Sequence, residues 1–490
     1  MAWADFGRSD ELFGLYYFQD GTPTHSYMRM LYKYPQAAFP YERLVAENQA
    51  RGAADREFEL VDTGVFAENR YFDVVVEYAK ASTDDVLMLV TAHNRGPDAA
   101  TLHVLPQLWA RNVWSWDQDV PRPQIRLDPG QGQRVLASHP ALARTRVCEV
   151  DGAASWLFCE NETNVNRLYD AQQPGPFKDG INDHVVDGVY DAVNPRKRGT
   201  KCAAHLRLHI AAGGSATVRL RLRPESSPGA NEDAFAWFDA VMDSRRSDCD
   251  AFYAAVQRGM PDPDARLVQR QALAGMLWSK QFYMLDVRRW LDGDPAQPAP
   301  PPGRSRGRNA DWRHLDNSDV ISMPDSWEYP WYAAWDLAFH CVTFALIDPV
   351  FAKSQLLLLT RERFMHPNGQ LPAYEWALGD VNPPGARLGG AAGVPDGPCT
   401  DRRGRPHVPA ALLPQAAAEF HLVGQPQGRD RAQHLRGRLP RPRQHRHFRP
   451  VAPAADGGHD RPIGRHRMDG DVHGQPAAHR ARARDRGPRL

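Results

Sequence analysis

Residues 204–224 read AHLRLHIAAGGSATVRLRLRP. His205, Arg207 and His209 alternate with Leu206, Leu208 and Ile210, the two-residue period of a strand with one buried face. A second alternating run follows Gly213-Gly214, so the stretch predicts a hairpin with its turn at the two glycines. Working toward the N-terminus, YFDVVVEYAK (71–80), DVLMLVTAH (85–93) and ATLHVLPQLWAR (100–111) are short β-branched or aromatic runs. Turn chemistry such as Asn94-Arg95-Gly96 separates them. Many short strands without intervening helices, from about residue 10 to 225, predict a β-sandwich.

Toward the C-terminus the period changes. Asn231 is placed to cap a helix over about 232–257, with Glu232 and Asp233 at the positive end of its dipole. A second helix is expected over about 264–291, where Val268, Ala272, Gly275, Trp278, Phe282 and Leu285 recur at three- and four-residue spacing. Leu273, Met276, Leu277 and Met284 cover another face, which suggests burial between other helices. The Pro-, Gly- and Arg-rich stretch 293–309 is expected to be an extended surface loop. Helices are expected again over about 333–347 and 350–365.

The composition is globular, with 42% hydrophobic and 24% charged residues among 490. No apolar run approaches the roughly 20 residues needed to span a bilayer. The start, MAWADFGRSDELFG, has neither a basic nor an apolar leader region. Cys148, Cys159, Cys202, Cys249, Cys341 and Cys399 lack metal-site spacing and read as reduced thiols. A cytoplasmic protein without metal, cofactor or membrane contact is expected. No P-loop, HExxH, GxSxG or dinucleotide-binding glycine pattern occurs.

Two constellations could carry chemistry. DSWEYPWYAAWDLAFH (325–340) packs Trp327, Tyr329, Trp331, Tyr332 and Trp335 beside Asp325, Glu328 and Asp336. Indole stacks on the C–H face of a pyranose, carboxylates accept its hydroxyl hydrogens, and a desolvated carboxyl can act as general acid. The same residues equally suit a core of aromatics with acids capping helices. HPNGQLPAYEWALGDVNPP (366–384) is a loop carrying Tyr374, Glu375, Trp376 and Asp380; a tight turn with exposed acids is its plainer reading. In HNRGPDAATLHVLPQLWARNVWSW (93–116) the tryptophans favour core and domain-interface packing.

At these segments, together with GTPTHSYMRMLYKYPQAAFPY (21–41), RQALAGMLWSKQFY (270–283) and DNSDVISMPDSWEYPWYAAWDLAFH (316–340), the chain resembles bacterial members of glycoside hydrolase family sixty-three. That group includes processing α-glucosidase I and mannosylglycerate hydrolase. The resemblance covers most of residues 15–384. It implies a β-sandwich domain over 1–228 and the first helices of an (α/α)6 barrel over 229–384. It further implies inverting hydrolysis of an α-glucosidic bond in an oligosaccharide or glucoside. The Trp335-Asp336…Phe339-His340 motif is similar to the family's general-acid motif and places that role on Asp336. Trp331, Trp335, Tyr374, Glu375 and Trp376 are implied pocket walls. The family's water-activating carboxylate lies downstream of Pro384.

Past Pro384 the resemblance stops. Residues 385–490 carry 20 Arg, no Lys, no Trp, no Tyr and 9 acids, a net +11, against 40 basic and 50 acidic residues, a net −10, in 1–384. Arg with Gly, Ala, Pro and His is what GC-rich DNA yields in a wrong frame. Codons permitted for 385–396, 419–430 and 433–450 also read, in a shifted frame, as text like the family's continuation. The tail is therefore expected to be out of frame and disordered, the barrel incomplete, and the activity of this product low. Sequencing the DNA around codon 384 checks this; an intact frame with no displaced family text removes it. Two further readings stay open: a carbohydrate-binding fragment without catalysis, and nucleic-acid binding through the basic tail.

Overall fold

The computed structural model describes residues 15–375 and Leu378, apart from residues 53, 118, 227–232, 308–311 and 326–328. Asn231, Trp327, Glu328, Trp376, Asp380, Cys399 and the whole of 385–490 lie outside the described residues.

Fifteen strands and eight α-helices are described. The first strands are β1 (Leu15–Gly21), β2 (Tyr27–Pro35), β3 (Tyr71–Ser82) and β4 (Asp85–Asn94), with α1 (Tyr41–Gln49) between β2 and β3. Next come β5 (Ala100–Val104), β6 (Gln107–Trp109), β7 (Gln124–Leu127), β8 (Arg134–Ser138), β9 (Arg146–Val150) and β10 (Ser155–Cys159). Short helices α2 (Val165–Tyr169) and α3 (Gly180–Val186) lead to β11 (Arg198–Gly199), β12 (Lys201–Ile210) and β13 (Ser215–Pro224). The helical part holds α4 (Phe238–Val256), α5 (Pro263–Trp278), β14 (Lys280–Asp286), α6 (Val287–Asp292), β15 (Asp316–Ser322), α7 (Ala334–Ile347) and α8 (Pro349–Leu359).

The large sheet runs β1-β2-β3-β4-β13-β9-β8-β7-β11, and a smaller one runs β10-β12-β5, with β6 also on β12. Every recorded pairing is antiparallel. The two sheets share one core. Val90, Val135, Val150, Val218 and Leu220 from the large sheet meet Trp156, Phe158, Cys202, Ala204 and Leu206 from the small one. Burying each large side chain contributes about 1.5–3 kcal/mol. The expected strands at 71–80 and 85–93 are therefore present, as β3 and β4.

Residues 204–224 correct the expected hairpin. β12 and β13 follow each other through Gly213, at φ +65°, but they do not pair. β13 joins β4 and β9, and β12 joins β10 and β5. The alternation is real, but its apolar face packs across the gap between sheets instead of lying beside its neighbour. Alternation specifies which face is buried and not which strand lies alongside. The expected run 100–111 also divides, into β5 and β6, around Pro106, which has no N–H to give a ladder. At β11 a Cβ on Gly199 would lie 2.2 Å from the Cys159 carbonyl oxygen. Gly199→Ala should lower stability by about 1–3 kcal/mol, read from the urea midpoint.

Helices cover the other face of the large sheet near β2–β4. Tyr27, Ala79 and Leu87 meet Phe238, Met242, Cys249 and Tyr253 of α4, Leu273 and Leu277 of α5, and Cys341, Phe344 and Ile347 of α7. The expected helix over 232–257 begins at Phe238, after a turn in which Asp233 accepts the Phe235 N–H at 2.9 Å.

The expected helix over 264–291 is a correction. It ends at Trp278, and Lys280–Asp286 form a strand paired with β15. Aromatic and branched residues at 282–285 favour a ladder, and Asp286 then caps α6 by accepting the Arg289 N–H at 3.1 Å. Nor is α5 buried all round, since Leu267 and Val268 are exposed. α8 ends at Leu359 rather than near 365, and the chain turns to bury Phe364 against Tyr332, ring centroids 5.5 Å apart. Residues 293–307 form a loop with one 3-10 turn at Arg304–Arg306, and Arg304 stacks on Trp290. Cys148, Cys159, Cys202, Cys249 and Cys341 are buried free thiols.

Candidate functional site

The site grows from the start of α7. Ala334, Leu337, Ala338, Cys341, Phe344 and Ile347 recur at helical spacing and are buried. The helix has no side-chain cap. Its first N–H is met instead by the Ala373 carbonyl, Ala334 N donating at 2.9 Å, and Ala333 forms an antiparallel bridge with Tyr374. These two contacts bring 371–375 alongside the N-terminus of α7. Segments about 40 residues apart thus run side by side, so that the backbone at Tyr374 and Glu375 lies near the start of the helix that carries Trp335 and Asp336.

Asp336 occupies the first turn of α7 and is partly buried. Burial raises its pKa above the ordinary aspartate value, and a hydrogen bond from its own N–H opposes this. The positive end of the helix also favours the anion, yet desolvation wins. The carboxyl thus holds its proton to a higher pH than an ordinary aspartate. Trp335 and Phe339, one turn apart and edge-to-face at 5.8 Å, are 39% and 40% exposed. Tyr374 is 37% exposed. All three rings are partly exposed. Trp331 is different: it is partly buried, packs against the cluster of Tyr283, Ile321, Tyr332 and Leu337, and meets Tyr329 edge-on at 5.2 Å.

Glu375 is partly buried. Burial pushes its pKa up to about 7, against the pull of a hydrogen bond from the Tyr283 hydroxyl. Tyr283 is itself held far above the usual tyrosine range by burial and by the Glu375 charge. Beneath them the Tyr332 ring is fully buried, with no partner for its hydroxyl among the described residues. A carboxyl whose folded pKa exceeds its unfolded value of about 4.3 binds a proton more tightly when folded. Its contribution favours folding at low pH and is lost as pH rises from the unfolded value through about 7. Glu375→Gln should remove that part of the fall. Thermal melts between pH 5 and pH 8 check it, the variant losing less midpoint than the parent.

His340, one turn beyond Asp336, accepts or donates at 2.7 Å to Ser322 Oγ, which meets Ser279 Oγ at 2.7 Å. Burial lowers its pKa to about 4, so the imidazole is neutral at pH 7. It gives the acid no cationic neighbour.

Tyr283 thus joins the residues that the sequence singled out for the site. Tyr283 was hidden by its place in an expected helix; the run Phe282–Leu285 between Ser279 and Asp286 is the signal for a strand. The tryptophans of 93–116 divide. Trp109 is exposed, Trp114 donates to Glu162 at 2.8 Å, and Trp116 donates to the Gly293 carbonyl at 3.2 Å. The last contact is packing between the sheet region and the helical part. No group of three or more metal-ligating side chains occurs among the described residues, and no helix there is long and apolar enough to cross a membrane.

No family model matches the chain. It is 39% identical over 415 residues to the uncharacterized protein YMR196W of Saccharomyces cerevisiae, a match covering 76% of this chain and 38% of the yeast protein. The chain therefore spans well under half the length of that curated relative. Among solved structures it is similar to a putative kojibiose phosphorylase from the human microbiome, at TM-score 0.21 and 7% identity, over 68% of this chain and 36% of that one. It is also similar to a polysaccharide lyase, at TM-score 0.21 and 12% identity, over 32% and 21% of the two chains. At that score neither likeness establishes a shared architecture.

Proposed function

We propose that the chain carries the acid half of a glycoside hydrolase site, acting on α-glucosidic bonds with inversion. The carrying observation is Asp336: a partly buried carboxyl, its pKa raised by burial, in the first turn of a helix that also carries the partly exposed Trp335 and Phe339. A protonated carboxyl can hand its proton to the leaving glycosidic oxygen, and the open rings suit the apolar face of a sugar. The bond between the anomeric carbon and that oxygen breaks as water, activated by a second carboxylate, attacks from the opposite face. Tyr374 and Trp335 would line the pocket, with Trp331 supporting them from the core. Glu375, fixed by Tyr283, would accept or donate to a sugar hydroxyl according to its protonation. The domain division at about residue 228 and the (α/α)6 ring belong to this same proposal.

The reading is tested by calorimetry with glucosyl disaccharides together with release of glucose. Binding that survives Asp336→Asn while glucose release falls supports it. Binding with no hydrolysis in any form of the protein would instead support a carbohydrate-binding fragment.

A further inference from the structure

The outer face of the small sheet carries a pair of histidines and shares no residue with the Asp336 site. On β5, Leu102 is buried and His103 is exposed; on β12, Leu206 is buried, His205 is half-buried, and Arg207 and His209 are exposed. His103 and His205 thus lie on the face turned away from the large sheet. The register sets Arg207 directly opposite His103, so His205 is its diagonal neighbour. Diagonal neighbours in an antiparallel pair are within reach of long side chains. The two rings meet there, His205 Nε2 and His103 Nδ1 3.0 Å apart, with centroids 5.0 Å apart and planes 32° apart. Beside them α3 covers part of the same face, packing Ile181 and Val185 with Leu105, Leu157 and Ala203, but the contact between the imidazoles stays exposed.

Only one proton can lie between these two nitrogens, so at least one ring is neutral and turns a lone pair toward the other. Neutral imidazole is the form that binds metals. Two imidazole nitrogens, each about 2.0–2.1 Å from one ion, stand about 3.3–3.4 Å apart at a tetrahedral angle and about 2.8–3.0 Å apart at a right angle. The observed 3.0 Å fits the right angle. With both rings neutral, an ion displaces the shared proton without net release. The proton leaves the facing nitrogen, and the other nitrogen of the same ring takes one up. Arg207 opposes the charge of a cation here, but it is exposed and solvent screens it.

We propose that His103 and His205 chelate a divalent transition-metal ion of tetragonal preference, of the copper(II) or nickel(II) kind, with water in its other positions. The ladder between β5 and β12, not a loop, sets the spacing of the two ligands. They stand together before the ion arrives, so the second bond forms at a high effective concentration. The inference goes beyond the carbohydrate reading and does not depend on it.

The test titrates copper(II), and separately zinc(II), into the full chain in a calorimeter near neutral pH, and records the electron paramagnetic resonance of the bound copper. The chain has 19 histidines, so the readout is the one equivalent lost and not the total bound. His103→Asn and His205→Asn should each weaken that equivalent at least about tenfold. His209→Asn, which changes an exposed histidine of the same strand, should leave it intact. The resonance should carry the splitting of two imidazole nitrogens in the parent and of one in either site variant. Arg207→Gln should tighten binding by a few fold, because the opposing charge is gone. Equal binding by the three histidine variants overturns the proposal, and zinc held more tightly than copper at this equivalent overturns the assigned class of ion. Labelling the parent with diethylpyrocarbonate decides without any variant. Copper(II) should protect His103 and His205 and leave His209 reactive, and no difference among the three refutes the site.

Discussion

Asp336→Asn should cut glucose release by about a hundred- to ten-thousand-fold, the range a positioned general acid contributes. On the proposal that residues 385–490 are out of frame, the comparison is made in a product with the frame past codon 384 restored, which would supply the second carboxylate that the proposed reaction requires. Asparagine keeps the size and the hydrogen-bonding outline of the side chain but carries no transferable proton. Disaccharide affinity should stay within a few fold, because Trp335, Phe339 and Tyr374 are untouched. Burial raises the Asp336 pKa, so the rate should fall as pH rises through a value above the usual aspartate figure of about 3.9. That limb should vanish in the variant. Substrates whose leaving group needs no proton should recover most of the lost rate. A variant that hydrolyses such a substrate and an ordinary disaccharide with equal losses would mean that Asp336 has a structural role only.

Much of this site was legible because its parts lie close in sequence. Trp335, Asp336, Phe339 and His340 occupy one helical turn and the next, and their spacing alone fixes their shared region of α7. The pairing of Ala333 with Tyr374 was not legible: no periodicity reports which loop meets a helix start. The sheets show the same limit. The alternation at 204–224 correctly marked Leu206 and Ile210 as buried, but pairing depends on the whole layer arrangement, and β12 and β13 separated into different sheets. In 264–291 a three- and four-residue spacing of apolar residues concealed the strand β14. Its ladder with β15 is made with residues 30 to 42 positions away, beyond any local window. The β-bulge at Gln19, between Phe18 and Asp20, left no trace in the sequence, since a bulge appears only once the register is known.

The largest effect on stability is expected at Asp20→Ala. Arg270 has two carboxylate partners in different surroundings. The Asp20 side chain is 12% exposed and that of Asp250 is 67% exposed. Asp20 also accepts from the Cys249 thiol at 3.4 Å, and its carbonyl accepts from Trp278 Nε1 at 2.9 Å. The guanidinium itself lies over the Tyr253 ring, 4.7 Å from its centroid. One aspartate thus ties the edge strand β1 to both α4 and α5. Removing it leaves a largely desolvated guanidinium with only its exposed partner, a change that costs about 3–5 kcal/mol when a buried pair is broken. Asp250→Ala removes an equal formal charge from the same arginine but should cost about 0–1 kcal/mol, because solvent already screens that pair. Asp20→Asn, which still accepts hydrogen bonds, should fall between them. Urea midpoints of the three variants decide the matter, and Arg270→Met together with the Asp20→Ala/Arg270→Met double variant completes a double-mutant cycle. Equal losses at Asp20 and Asp250 would show that the number of ion pairs, not their burial, holds β1 against the helices. A loss confined to Asp20 would show that desolvation sets the strength of this junction.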